Sequence, residues 1–540
     1  MRTYMKLLGT LILVLGMSGC QSQPHIVASE TQNTQEPENT VSESEDTITL
    51  TFFDKNIDGA EFDDDVAQVI MEKTGVRIEI VDATAEPEER IQMMLANRSY
   101  PDMILMPQGE LVNRYIEAGA LIPLDDLIDS YGQNIQEMYG DILNRSRYRD
   151  GQIYWLANWY GPDADASAGI MIRRDLLASI VGEERAYSTE AFTQTEYTEI
   201  LRKFKEMYPE INGETSVALE LNSDKENFYG SIRGMYGLKT YAVAEDGSLQ
   251  YLPSTDAFED ALLYMNELYR EELLSKDWVI NKTEQWIEKL SAGNVFSTWS
   301  SYWDVADVNT ALAENFGEDA QFYCYKVVAD GLDADQTTYN ARNGLGWDAI
   351  GITDNCEHPE AAMKVADYLA SEEGQYLMLW GVEGETWELQ DDTHVPLTDF
   401  LDAWTEDSVA VKRTTGVRRW TWFIHNGNGS DGTPYDLTNK YVPDEKTAFA
   451  NAVFEASDYW DTSEFSGLEP SGNTELGLKW LQIEEIYDQY YPDVVTASTK
   501  ESAETQYRKM IGAMDNMGLK DCEAYITDQH NQRMELWGID

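Results

Sequence analysis

Past residue 47 the apolar positions change period several times. Ile48 to Phe53 is a short apolar run of strand length. Glu61 to Lys73 spaces Phe62, Val66 and Ile70 along one face and stops before Gly75, which predicts an amphipathic helix closed by glycine. Val76 to Val81 predicts the next strand, Pro87 opens a helix carrying Ile91, Met94 and Leu95, and Asp102 to Met106 predicts a third strand. A further helix ends near Gly119. Strands alternating with short helices predict a parallel, doubly wound α/β sheet. Ligands in such sheets bind beyond the carboxyl ends of the strands.

A second series begins near residue 165. Ala168 to Ile172 predicts a strand, and Thr193-x-x-Glu196 is a capping-box pattern ahead of a helix with Tyr197, Ile200, Leu201, Phe204 and Met207 on one face. Pro209 ends that helix. Asp246-Gly247 between Tyr241–Ala244 and Ser248–Leu252 predicts a tight hairpin. A helix from Asp256 to Leu274 turns Phe258, Leu262, Met265 and Tyr269 inward, and near the C-terminus Leu476, Trp480, Ile483 and Tyr487 mark another, with two more after it. No internal repeat is visible. A chain of 540 residues is too long for one core and implies at least two domains.

The N-terminus has a different character. Arg2 and Lys6 precede the apolar run Leu7 to Met17, then Ser18, Gly19 and Cys20, the order of a signal peptide. The run is too short for a membrane span, which needs roughly 20 apolar residues. Met17-Ser18-Gly19-Cys20 resembles a bacterial lipobox, in which Cys20 is acylated. The alternative is an ordinary signal peptide with an incidental cysteine. Residues 21 to 46 lack Lys, Arg and aromatic residues and hold two prolines, a composition that predicts a disordered tether.

Charge narrows the partners. The net charge is −59, from 98 acids against 39 Lys and Arg, which argues against nucleic acid, since phosphate contacts need basic stripes. A solvated acidic surface that aids solubility accounts for most of the excess. Apolar residues make up 42% and aromatic residues 11%, so the body should fold. After Cys20 only Cys324, Cys356 and Cys522 remain. With five scattered histidines they make neither a disulfide framework nor a zinc site, and no cofactor is expected. The chain has no His-Glu-x-x-His and no Gly-x-Ser-x-Gly, and 98 carboxylates cannot single out a glycosidase pair, so no enzyme is predicted.

One loop resembles a metal site. Asp54-x-Asn56-x-Asp58-Gly59, with Asp65 at the twelfth position, nearly matches an EF-hand calcium loop. A strand rather than a helix precedes it, and Asp replaces the bidentate Glu. The alternative is a loop whose acids cap the next helix and face a cleft, so Asp54 is a candidate ligand contact.

Several motifs in order resemble the family 1 extracellular solute-binding proteins, which include maltose-binding and alginate-oligosaccharide-binding proteins. They are Thr74-Gly75-Val76, Met94-Leu95-Ala96 before Tyr100-Pro101-Asp102, Gly119 to Leu124, Asp150 to Tyr154, Ile172 to Leu177, Cys356 to Ala362 and Gly381 to Trp387. The resemblance implies a type II periplasmic-binding-protein-like fold: two doubly wound lobes joined by crossover strands, with C-terminal helices. Residues 1–20 are then the lipoprotein signal and 21–46 the tether. Residues 47–156 and 352–390 form lobe I, and residues 165–348 and 395–540 form lobe II. Crossovers are expected near Trp155 to Tyr160, Ala349 to Thr353 and after Trp387.

The same resemblance implies a monomeric lipoprotein, anchored by lipid (palmitate) at Cys20 on the extracellular face of the cell membrane. It would capture an oligosaccharide and deliver it to ABC transporter permease subunits. A pyranose presents an apolar C–H face and a hydroxyl rim, whose complement is an aromatic surface flanked by polar groups. Trp155, Trp159 and Tyr160 lie in the first crossover, Trp347 precedes the second, and Gly293 to Trp303 resembles a sugar-stacking segment, which adds Trp299, Tyr302 and Trp303. The alternatives are a surface sugar receptor or adhesin on the same fold, or a binder of acidic (uronate) oligosaccharides. Arg173, Arg342, Arg418 and Arg419 are the candidates to pair with a uronate carboxylate.

Overall fold

The computed structural model describes residues 47–57, 60–83, 86–162, 168–441, 445–454, 458–472 and 474–539. The expected signal segment 1–20 with Cys20, the tether 21–46, and Asp58 and Gly59 of the acidic loop lie outside them. Sheet I runs in the order Val76–Val81, Ile48–Asp54, Met103–Pro107, Asp348–Ile352, Trp155–Ala157. Its first three strands are parallel, with Leu50 opposite Ile78 and Phe52 opposite Met103. Asp348–Ile352 is antiparallel to both neighbours, with Ile350 opposite Leu105 and Leu156. The sheet is therefore not wholly parallel as expected, because this strand returns from the second half of the chain instead of over a crossover helix.

Helices cover both faces of sheet I, so its strands are apolar almost continuously. Leu50, Phe52, Leu105 and Ile350 face one core, and Phe53, Ile104, Met106 and Ala349 face the other. The first helix is Asp65–Thr74 and starts later than Glu61 because Asp64 caps it, accepting from the Ala67 N–H at 2.9 Å. Gly75 closes it at φ 71°, the left-handed stop its position predicted.

Sheet II runs Val217–Leu219, Val295–Ser300, Gly169–Arg173, Phe322–Tyr325. Its first pair is parallel and the other two are antiparallel. The capping box forms, with Thr193 Oγ1 accepting from the Glu196 N–H at 3.1 Å and the Glu196 carboxylate accepting from the Thr193 N–H at 2.8 Å. The helix behind it buries Tyr197, Ile200, Leu201 and Phe204 but leaves Met207 exposed. Tyr241–Val243 and Leu249–Tyr251 pair across Asp246-Gly247. The helix from Asp256 ends at Arg270, short of Leu274, where Glu272 turns to φ 59°. Helices Glu475–Val495, Lys500–Met517 and Leu519–Trp537 bring Trp480, Ile483, Tyr487, Met510 and Cys522 into the sheet II core.

The chain passes between the two cores after Tyr160, returns between Arg342 and Asp348, and passes again after Leu437. Ile424–His425 pairs in parallel with Trp159–Tyr160, so a strand ahead of the third passage lies beside the strand that leads into the first. The third crossover is expected in the segment after Trp387. Instead Trp387–Gln390 folds back on Thr393–Pro396, and the helix Thr398–Thr415 follows before Ile424. Phe400, Trp404, Trp420, Trp422 and Tyr435 from this stretch are buried in the sheet I core.

Candidate ligand site at the strand ends

Sheet I ends in polar side chains. Asp348, at the start of the antiparallel strand, holds Lys55 Nζ at 3.2 Å and accepts from Asn56 Nδ2 at 3.2 Å. Its backbone N–H donates to Asn158 Oδ1 at 3.1 Å. Gln108, directly after Met103–Pro107, donates to the Leu345 carbonyl at 2.7 Å and accepts from Asn343 Nδ2 at 3.2 Å. Lys55, Asn56, Gln108 and Asn343 are thus brought together where the doubly wound pattern places a ligand. Burial pushes the Asp348 carboxyl above its ordinary range.

Asp54 is placed differently from its expected role. It is buried, and its carboxylate accepts from Trp422 Nε1 at 2.7 Å and from the Asn56 N–H at 2.8 Å. Burial raises its pKa, and the hydrogen bonds from Trp422 and Asn56 oppose that. Its neighbour Asp64 caps the helix, pairs with Arg419 at 2.9 Å and accepts from Trp420 Nε1. These acids fasten the loop to the residues around Trp420 and Trp422. Among the described residues no group of three His, Cys, Asp or Glu is placed to hold a metal.

The aromatic candidates divide by exposure. Trp347 is 54% exposed and Trp303 42%. Trp347 stacks on the half-buried Trp159 at 5.8 Å and 23°, and Trp159 Nε1 donates to Asn426 Oδ1. Gly346 permits the stack: its φ is +66°, and a Cβ there would lie 2.2 Å from the Trp159 carbonyl oxygen. Trp303 sits in the short 3-10 turn Tyr302–Val305 after Val295–Ser300, with Ser301 and Asp304 capping the turn. Tyr302 meets it edge-on at 5.0 Å, and the Arg342 guanidinium lies 5.1 Å from its ring. Arg342 and Trp347 are the two ends of the return passage, so that segment links Trp303 to the Trp159–Trp347 pair.

The remaining candidates are turned inward. Trp299 is fully buried, donates to the Tyr197 hydroxyl at 3.2 Å and lies parallel to Tyr264. Tyr160 is also fully buried and stacks on Tyr139 at 3.6 Å. Neither presents a face to a ligand here. Trp155 is half-buried beside both sheet I cores. Of the four arginines, Arg173 pairs with Asp175 at 2.7 Å, Arg418 with Asp436, and Arg419 with Asp64. Only Arg342 of the four lies against an exposed indole.

Comparison with known proteins extends the picture. A sequence profile of bacterial extracellular solute-binding proteins matches residues 54–376. The fold is similar to that of an HMO binding ABC-transporter associated solute binding protein from Bifidobacterium longum infantis, at 14% identity and TM-score 0.63, covering 90% of this chain and 99% of that one. It is also similar to the ABC-transporter substrate binding protein FusA of S. pneumoniae in complex with kestose, at 16% identity and TM-score 0.60, over 90% and 99% of the two chains. An uncharacterised protein from the butB 5′ region of Niallia circulans is 27% identical over 136 residues, 25% of this chain. The match spans about half, 52%, of that relative's length. The family and these structural neighbours are binding proteins, not enzymes. Among the described residues no helix is long and apolar enough to cross a membrane. With two α/β cores joined by repeated passages of the chain, and a profile match running from the first strand end to the helices beyond the return strand, the protein belongs to the bacterial extracellular solute-binding proteins.

Proposed function

We propose that the protein is the solute-binding lipoprotein of an ABC importer and that it captures an oligosaccharide between its two lobes for delivery to the permease. The observation that carries this reading is the pair of exposed indoles, Trp347 at one end of an inter-core connection and Trp303 against Arg342 at the other, with Lys55, Asn56, Gln108 and Asn343 beside it. Flat apolar faces flanked by hydrogen-bonding groups complement a sugar ring. The sugar ligands named for the structural neighbours support the same class.

We assign residues 47–157 and 348–441 to lobe I and residues 168–342 and 445–539 to lobe II, because Phe400, Trp420 and Trp422 share the sheet I core. Ligand would draw the lobes together by its better contacts with the closed form. The protein would act as a monomer held on the extracellular face of the cell membrane by acylated Cys20. Two or more acyl chains, at about 0.8 kcal/mol per buried methylene, give a stable anchor.

Arg342 beside Trp303 favours a second reading within this one, a sugar carrying a carboxylate, which guanidinium binds well. Calorimetric titration against neutral and uronate-containing oligosaccharides, with solution scattering at saturation, tests both. Saturable binding and a smaller radius of gyration are expected, and the preferred ligands decide between neutral and acidic. Failure of every oligosaccharide to bind, or an unchanged scattering profile at saturation, overturns the reading.

A further inference from the structure

Because Asp348–Ile352 is antiparallel to Met103–Pro107, it presents its first residue where the parallel strands present their last. Asp348 lies opposite Pro107, and its carboxylate is near enough to that of Asp54, the end of Ile48–Asp54, for the two to repel. Both residues are buried. A buried carboxylate is costly unless a cation or hydrogen bonds hold it. Asp54 takes its hydrogen bonds from Trp422 Nε1 and the Asn56 N–H, which are neutral donors. Lys55 is the cation that serves both acids. Its Nζ lies 3.2 Å from Asp348 Oδ1, and the rise that burial imposes on the Asp54 carboxyl is opposed in part by the Lys55 charge.

An ammonium group has three N–H donors. That of Lys55 meets Asp348 Oδ1 with one and donates to Asn56 Oδ1 at 3.0 Å with another, which leaves one for a ligand. Its charge is already answered by two carboxylates, so what it offers is a hydrogen-bond donor with no net attraction for an anion. The lobe II side has the same bias. Asp304, half-buried in the turn that carries Trp303, accepts from the Ser301 N–H at 3.1 Å and from Asn227 Nδ2 at 3.3 Å, again neutral donors. Asp54, Asp348 and Asp304 thus outnumber Lys55 and Arg342. A carboxylate arriving here meets more negative charge than positive, whereas a hydroxyl, both donor and acceptor, suits the carboxylates and the amides of Gln108 and Asn343 alike.

We propose that the strand-end site selects uncharged oligosaccharides and that Asp348 is the specificity-determining residue, because it cancels the charge of Lys55. The inference rests on the oligosaccharide reading and chooses between its neutral and acidic forms. Calorimetric titration of the full-length protein in detergent at neutral pH, with gluco-, galacto- and manno-trisaccharides each beside the corresponding uronate trimer, tests it. In the unaltered protein the neutral member of a pair should bind about tenfold tighter or more, the worth of one charge-assisted hydrogen bond. Asp348→Asn keeps the size of the side chain and frees the Lys55 ammonium. The ratio of acidic to neutral affinity should then rise about tenfold, and the gain should shrink as salt rises. Adding Lys55→Gln to Asp348→Asn should reverse the gain. If Asp348 only supports the fold, its replacement lowers both affinities together, and an unchanged ratio overturns the proposal. So does a gain that survives Lys55→Gln. A uronate that binds the unaltered protein as tightly as its neutral partner overturns it without any variant. Silence from every sugar of the panel overturns the oligosaccharide reading itself and this inference with it, an outcome distinct from binding with the wrong preference.

Discussion

Trp303→Ala is the substitution that most directly probes the ligand surface. Trp303 is 42% exposed. A tryptophan presents up to about 250 Å², so about 100 Å² of this side chain is open to a ligand. Covering most of it at about 25 cal/mol per Å² is worth roughly 2 kcal/mol, so the variant should bind about thirtyfold more weakly. Trp299 supplies the contrast from the same segment. It is fully buried, so Trp299→Ala should cost about 3 to 5 kcal/mol of folding free energy while the molecules that stay folded keep their affinity. Calorimetric titration with the best oligosaccharide, paired with denaturant unfolding of the free protein, reads both quantities. If Trp299→Ala does not fold, Trp299→Phe gives the same comparison at lower cost in stability. Normal affinity in Trp303→Ala, together with a stability loss as large as that of Trp299→Ala, would refute the reasoning and make Trp303 a core residue.

Gly346→Ala should lose about 1 to 3 kcal/mol of stability, since φ there is +66° and the new methyl group meets the Trp159 carbonyl; an unchanged denaturation midpoint would contradict that contact. Burial alone would raise the Asp431 carboxyl, but hydrogen bonds from His394 and Thr433 outweigh it and hold the group below its ordinary value of 3.8. Its stabilisation is therefore complete above that value and fades as the pH falls below it, so Asp431→Asn should flatten the loss of stability on acidification. Equal acid sensitivity in the two proteins would argue against those bonds. Cys20→Ser should move the protein from the membrane fraction to the soluble one with ligand affinity intact, and unchanged fractionation would exclude the lipid anchor.

Much of the fold was legible wherever a local rule sufficed. Val66 and Ile70 mark the buried face of Asp65–Thr74, Thr193 and Glu196 form their box, and Asp246-Gly247 turns its hairpin. Pairing direction is not local. Asp348–Ile352 runs antiparallel because of where the chain re-enters sheet I, and nothing in its five residues encodes that. The site was legible in outline only. Trp299 and Trp303 stand four positions apart in one aromatic stretch, but every residue of Val295–Ser300 is buried, so no alternation distinguishes the strand from the turn after it. Lys55, Asn56, Gln108 and Asn343 are ordinary loop residues in the sequence, and only the convergence of strand ends brings them together. Position alone places Trp420 and Trp422 in the second lobe, because a hairpin and a long helix separate them from the sheet whose core they fill.

The return strand also governs the order in which this protein can fold. Asp348–Ile352 is the joint between Met103–Pro107 and Trp155–Ala157, and Trp422 closes over Phe52 from almost four hundred positions away. The amino-terminal third can therefore make a partial sheet but cannot finish it. All four strands of sheet II are synthesised before the missing piece appears. Contacts so distant along the chain slow folding, because long loops must be closed before they are rewarded.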